Sequence, residues 1–187
     1  MELLPALQIG WLNGWVLLVV LYSIFGLLLL VFPKEVVGRL YDRSGWSRRQ
    51  RVLTLIGKLL IALVWFPLII FTPLKIGTPV FVLGIVVFAL GLAGFVVALF
   101  NFRNTPLDQP VTRGLYRVSR HPQQFMLLVW GVGISIAIGS WLALLMLLLG
   151  LVFTHLKILA EEASCLRQYG DSYRAYMERV PRYFLFF

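Results

Sequence analysis

The chain has 187 residues, 60% of them hydrophobic, with a mean hydropathy of +0.88 and a net charge of +9 from 17 basic and 8 acidic side chains. Soluble domains average about 45–50% apolar residues, so this composition excludes a water-soluble globular domain and points to a single membrane domain over 1–187. The basic excess invites a nucleic-acid reading, but the placement of the charges accounts for it more simply, and the one cysteine, Cys165, excludes an intramolecular disulfide.

The first apolar run, about residues 11–32, reads WLNGWVLLVVLYSIFGLLLLVF and closes at Pro33-Lys34. It is long, and no short apolar stretch ends in a small-residue cleavage site, so it reads as a mature span and not as a removed signal peptide. The second run, about 52–72, has Lys58 near its start and Pro67 inside it. The third, about 79–102, begins at Pro79 and carries Gly84, Gly91 and Gly94, small residues that allow close helix packing. A polar connection follows, and then 123–160 is apolar except at Gly139-Ser140. At 1.5 Å per residue these roughly 38 residues make two passes of about 25–30 Å. The pattern predicts a tight helical hairpin with spans at about 123–138 and 140–160. The expectation is an all-α integral membrane protein of about five spans; a four-span count applies if the hairpin is only partly inserted.

The charges order these spans. Lys34, Arg39, Arg43, Arg48, Arg49 and Arg51 lie in the first connection, and Arg103, Arg113, Arg117 and Arg120 in the third. Lys157, Arg167, Arg174, Arg179 and Arg182 lie in the tail, and Lys58 can snorkel toward the same side. With five spans all of these share one face, and Lys75 alone is left on the other. The positive-inside rule then puts the N-terminus outside and the C-terminus in the cytosol, in a bacterial or archaeal inner membrane or an ER-type membrane. Four spans would split the tail from the other basic connections. After about residue 161 the chain stops reading as a span. Leu166, Tyr169, Tyr173, Tyr176, Met177 and Val180 suit a C-terminal cytosolic amphipathic helix on the protein or membrane surface, with Gly170-Asp171 as its interruption and the closing YFLFF as an interfacial anchor.

Two constellations carry candidate chemistry. In the first, VTRGLYRVSRHPQQF (111–125), Pro122 opens a helix, where its missing N–H is not needed. Arg120 and His121 therefore stand at a helix N-terminus, whose free N–H groups attract anions such as a carboxylate. The plainer reading makes Arg113, Arg117 and Arg120 topology signals touching lipid phosphates and His121 a cap. The second is HLKILAEE (155–162). Lys157 and Glu161 are i,i+4 neighbours, and His155 and Glu162 lie i,i+7 on an adjacent stripe. Carboxylates at a membrane boundary are expected to face a polar cavity or a cation; the plainer reading is a Lys157–Glu161 pair that marks the end of the span. His121, His155, Glu161 and Glu162 lack the short-spaced pair of a zinc site, so no metal is expected. No Gly-x-Ser-x-Gly, P-loop or Gly-x-Gly-x-x-Gly is present, which leaves a serine hydrolase, an NTPase and a Rossmann enzyme unsupported.

Together, GLYRVSRHPQQF, the apolar hairpin and EEASCLRQYGDSYRAYMERVPR resemble the C-terminal half of the isoprenylcysteine carboxyl methyltransferase and phospholipid methyltransferase superfamily. The family pattern is Gly-x-Tyr-x-x-x-Arg-His-Pro-x-Tyr, a hairpin, Glu-Glu, Phe/Tyr-Gly and Tyr-x-x-Tyr. Gly114, Tyr116, Arg120, His121, Pro122, Glu161, Glu162, Tyr169, Gly170, Tyr173 and Tyr176 match it, with Val180-Pro181-Arg182 behind. The resemblance covers about residues 105–182; the first three spans are similar only in being spans.

It implies a methyltransferase that uses S-adenosylmethionine, releasing S-adenosylhomocysteine, without a Rossmann domain. The cytosol-facing cofactor part would comprise about 105–122 and 155–182. Cofactor contacts carried over by the resemblance are Asp108, Gln109, Pro110, Val111, Tyr116, His121, Pro122, Gln123, Gln124, Glu161 and Glu162. The catalytic set would be Lys157, Glu161 and His121, with Lys157 standing where carboxyl methyltransferases of the family have an arginine that holds the substrate carboxylate. The cofactor's carboxylate suits the helix start at His121-Pro122, its ammonium Glu161 or Glu162, and its adenine or cation the face of Tyr116. Two positions depart from the pattern. Gln124 replaces the aromatic residue after Arg-His-Pro, and Lys157 lacks arginine's bidentate fork. The expected acceptor is a membrane lipid or a lipidated or small molecule: a prenylcysteine carboxylate, a lipid amine or a thiol. A non-catalytic binding or assembly protein on the same fold is the first alternative. A small-molecule transporter is the second, against which stand the uncharged middles of spans one, three and four and the lack of an inverted repeat.

Overall fold

The computed structural model describes residues 1–184. Its helices are α1 (Trp15–Val31), α2 (Lys34–Tyr41), α3 (Arg48–Leu60), α4 (Phe66–Phe71), α5 (Pro79–Arg103), α6 (Pro122–Ala137), α7 (Trp141–Tyr169) and α8 (Asp171–Arg179). A π-helical turn, Ile61–Trp65, joins α3 to α4, so Arg48–Phe71 is one apolar rod. Its cause is local. Pro67 has no N–H to donate and its ring crowds the preceding turn; opening that turn to i,i+5 bonding, with the Phe66 N–H on the Ile61 carbonyl, absorbs the misfit.

The termini of the other helices follow from single residues. Pro33 holds Phe32 extended and ends α1. Ser47 and Gln50 form a reciprocal capping box at the start of α3. Thr78 caps α5 through the Phe81 N–H, with Pro79 in the first turn. The chain turns back between α6 and α7 at Gly139, whose φ of +70° suits glycine, and Ser140 caps α7 through the Ala143 N–H. The hairpin at Gly139-Ser140 is thus present. Gly170, at φ +56°, ends α7 and starts α8.

Three helical rods are long and apolar enough to cross a membrane: Arg48–Phe71, Pro79–Arg103 and Trp141–Tyr169. Trp15–Val31 and Pro122–Ala137 are shorter apolar helices. The closest pairing is α5 with α6. A Cβ on Gly84 would fall 2.6 Å from the Ala137 Cα, and one on Gly133 2.6 Å from the Phe88 Cα, so these glycines let the two backbones touch. Beside that seam Leu17, Trp65, Ile69, Phe88, Phe95, Trp130 and Ile134 form the core.

One expectation is corrected. Residues 161–169 do not leave the span to begin a separate amphipathic helix; α7 continues through them without a break to Tyr169. Its 29 residues measure about 43 Å against a hydrocarbon core of about 30 Å, so α7 is longer than one crossing needs, and Glu161 and Glu162 lie toward its C-terminal end. α8 alone is the separate piece. It lies on the protein, with Tyr173, Tyr176 and Val180 buried against Cys165 and Leu166. Of the proposed anchor Tyr183–Phe187, Phe184 stacks on Phe125 with centroids 4.5 Å apart and Tyr183 meets His155; Leu185, Phe186 and Phe187 lie outside the described residues.

Candidate active site

The end of the bundle that carries the α1–α2 connection, residues 104–121 and the start of α8 encloses a cavity of about 860 Å³. This lies within the roughly 300–1,000 Å³ typical of small-molecule sites. Its floor, between α1, α5 and α6, is apolar: Phe25, Phe95, Leu99, Phe102 and Leu127. Its upper wall is polar and aromatic, with Tyr116, His121, Gln123, Gln124, Lys157 and Glu161. A lipophilic group and a charged one therefore find matching halves of a single space.

His121 precedes the first turn of α6, and its backbone N–H donates to Ser119 Oγ at 3.2 Å. Its Nε2 is 3.3 Å from Glu162 Oε1, and its Nδ1 is 3.6 Å from Glu161 Oε2. Burial disfavours the imidazolium, yet hydrogen bonds and charge from Glu161 and Glu162 outweigh it and hold the pKa above the ordinary histidine value. Tyr116 is buried in a short 3₁₀ turn, and that burial keeps its phenol protonated. Tyr176 Oη donates to the Tyr116 carbonyl at 2.7 Å, which ties α8 to the segment before His121.

The two adjacent glutamates part company. Glu161 is partly exposed to the cavity and pairs with Lys157 at 3.3 Å. Glu162 is 4% exposed and does not line the cavity. Arg120 Nε donates to its Oε1 at 2.9 Å, and Arg182 Nη2 to its Oε2 at 2.8 Å. This contradicts two expectations. Glu162 has no free oxygen for a cofactor ammonium, because both are taken by guanidinium groups and the imidazole. Arg120 is no lipid-facing topology signal: its side chain is 4% exposed and also donates to the carbonyls of Met177 and Val180. Arg113, by contrast, is exposed and donates to the Asn104 carbonyl.

The other expected contacts divide. Pro110, Val111, Gln123 and Gln124 line the cavity; Asp108 and Gln109 do not and are exposed. Pro122 is fully buried in the first turn of α6. Gln123 Nε2 is buried without a protein acceptor, an unused donor in a wall that a polar ligand could satisfy. Sequence reasoning missed Arg39. From α2 it donates to the carbonyls of Thr105, Pro106 and Gln109 and stacks on Phe102 and Tyr169. It thereby ties the 104–110 loop over the cavity. The sequence offered only a cation in the first connection, which does not reveal its partners.

The phospholipid methyltransferase family matches residues 69–172. A protein-S-isoprenylcysteine O-methyltransferase of Schizosaccharomyces pombe is 35% identical over 72 residues, 38% of this chain and 30% of that protein. The apolar helices and these likenesses define an integral membrane protein similar to membrane methyltransferases. The chain belongs to the phospholipid methyltransferase family, within the superfamily that also holds the isoprenylcysteine methyltransferases. The alignment with the yeast protein spans less than a third of that relative's length.

Proposed function

We propose that the protein is an S-adenosylmethionine-dependent methyltransferase acting on a lipophilic acceptor at the membrane–cytosol boundary. The observation that carries this is the two-faced cavity, in which His121, Gln123, Lys157 and Glu161 stand above an apolar floor. The donor set fits the cofactor. Glu161 offers a carboxylate to its ammonium, the Gln123 donor and the His121 imidazole suit its carboxylate, and Tyr116 and Tyr173 give aromatic faces for its adenine and sulfonium. When bound, it would supply an electrophilic methyl group. The residues of this chain would orient the acceptor and exclude water. The apolar floor would hold the acceptor's lipophilic part, and Lys157 would meet its polar end.

Lys157 is already paired with Glu161 and presents a point charge in place of a fork. A carboxylate acceptor, such as the prenylcysteine implied by the yeast relative's name, would gain a single contact here. Lipid amines and thiols therefore stand beside it as candidates. The reading includes topology. The apolar helices run alternately between two ends, and every lysine and arginine except Lys75 belongs to the end that holds the cavity or to the neighbouring turns. Five passes with the N-terminus outside and the cavity in the cytosol satisfy the positive-inside rule.

The test is calorimetric binding of S-adenosylhomocysteine to the detergent-purified protein, with Glu161→Gln as control. Saturable binding that the mutation weakens about tenfold or more supports the reading and opens an acceptor screen over prenylcysteines, lipid amines and thiols. A well-folded protein that binds neither S-adenosylhomocysteine nor S-adenosylmethionine sinks it.

A further inference from the structure

Beyond the cavity wall, the chain after α8 folds back across the start of α6. The Arg120 N–H donates to the Pro181 carbonyl at 3.0 Å, and Ser119 Oγ donates to the Arg182 carbonyl at 3.0 Å. Tyr183 then reaches His155 Nδ1 at 2.7 Å. This strap brings Arg182 to Glu162. Its Nη2 and Nε lie 2.8 and 3.1 Å from Oε2, and Nε also lies 3.2 Å from Oε1, which Arg120 and His121 share. Glu162 is thus held at both oxygens from two sides. Without Arg182 it would be held at Oε1 alone and free to pivot, and the imidazole that leans on Oε1 would lose a fixed partner.

We infer that Arg182 is a positioning residue: by pinning the Glu162 carboxylate it sets the orientation of the His121 imidazole that faces the cavity. Stability alone does not account for such an arrangement. Gathering charged groups around a buried carboxylate costs desolvation that their attraction only partly returns, whereas fixing a ring at a binding wall needs two-point restraint. The imidazole's charged and titratable surroundings are Arg120 on its own segment, Lys157, Glu161 and Glu162 on α7, Arg182 on the strap, and Tyr116, Tyr173 and Tyr176 around the same cavity. The inference rests on the proposed role of His121 in the S-adenosyl site, so its test includes a readout independent of that role.

The chain has two histidines, so the imidazole signals of detergent-solubilised, ¹³C-histidine-labelled protein are assignable with a His155→Gln variant. In Arg182→Gln the Glu162 carboxylate loses its second anchor and the imidazole its fixed partner, so the His121 titration should move to lower pH, opposite to the rise that loss of a nearby cation alone would give; Arg182→Lys should leave it near the wild-type position. S-adenosylhomocysteine binding should weaken about tenfold in Arg182→Gln, since misplacement of a contact by about 1 Å is enough for such a loss. Lysine should restore most of it, and the substitution should add no loss in a His121→Ala background. A His121 titration that stays put or moves up in folded Arg182→Gln protein would overturn the inference, as would equal losses with and without His121. Arg182→Lys, which keeps the charge, covers the case in which Arg182→Gln does not fold: Arg182→Lys binding as weakly as His121→Ala, with an unmoved titration, also overturns it. If wild-type protein binds no S-adenosyl ligand, the site reading falls and the titration still decides the positioning.

Discussion

At one end of the bundle, Glu2, Lys75 and the 138–141 turn meet through main-chain hydrogen bonds and a solvent-exposed ion pair. Glu2 N–H donates to the Gly139 carbonyl, Trp141 N–H to the Glu2 carbonyl, and Lys75 N–H to the Ala137 carbonyl. At the other end, Glu162 lies buried among Arg120, Arg182 and His121 beside a large cavity. Neutral main-chain closure costs little and needs no particular side chains. Buried ionic closure is expensive, and removing one partner leaves an uncompensated charge. Among the described residues, the costly, geometry-fixing groups thus gather beside the cavity.

The largest expected effect breaks the ionic end. Glu162→Ala would leave the Arg120 guanidinium buried without its carboxylate, a loss of about 3–5 kcal/mol by the usual cost of such a vacancy. The folded yield in detergent and the thermal midpoint should both fall sharply. Near-normal stability would mean that water or the main chain satisfies Arg120, and the ionic end would be no more demanding than the other.

Next come substitutions that spare the frame. Glu161→Gln and His121→Ala should each weaken S-adenosylhomocysteine binding by about tenfold or more, the usual scale for losing a charge-assisted contact of about 1.5–3 kcal/mol, with Glu161→Gln keeping a thermal midpoint near wild type. Arg113→Ala, whose side chain reaches only the Asn104 carbonyl at the surface, should leave binding within about twofold. A loss in Arg113→Ala as complete as in His121→Ala would erase the division between frame, wall and surface.

That division was half legible in the sequence. Gly139-Ser140 announced its hairpin, because an interruption midway through a double-length apolar run has few other structural meanings. Glu161-Glu162 was read as a pair, and here the helix itself gave the missed clue. Successive residues point about 100° apart at 3.6 residues per turn. Glu161 shares its stripe with Lys157, which lines the cavity, whereas Glu162 shares its stripe with Ile158, which is fully buried. Arg182 was hidden for a different reason: it reaches Glu162 only after the reversal at Gly170 and the whole of α8. Arg39 meets the 104–110 loop across a long sequence separation that no periodicity encodes.

A pH series sharpens the same contrast. The His121 pKa is raised in the folded protein, so the stability from its pairing with Glu161 and Glu162 is fully present below the ordinary value of about 6.5. It is lost as pH rises through the folded value. The thermal midpoint should decline across that window above the ordinary histidine pKa, and His121→Ala should flatten the decline. A midpoint that rises there instead would require a neutral imidazole among the two glutamates.

The smallest effect belongs to the other end. Glu2→Gln removes the carboxylate from its 2.7 Å contact with Lys75, where the two side chains are 57% and 34% exposed. Exposed pairs of this kind contribute little and are screened by salt. The main-chain bonds from Glu2 to Gly139 and Trp141 do not involve its carboxylate and remain. The thermal midpoint should shift slightly at low ionic strength and not at all in high salt, and S-adenosylhomocysteine affinity should be unchanged in both. If affinity fell with Glu2→Gln, the two ends would be coupled through the α5–α6 seam, whose glycine contacts run from the Ala137 turn toward the cavity floor. The separation of a cheap closing end from a costly binding end would then fail.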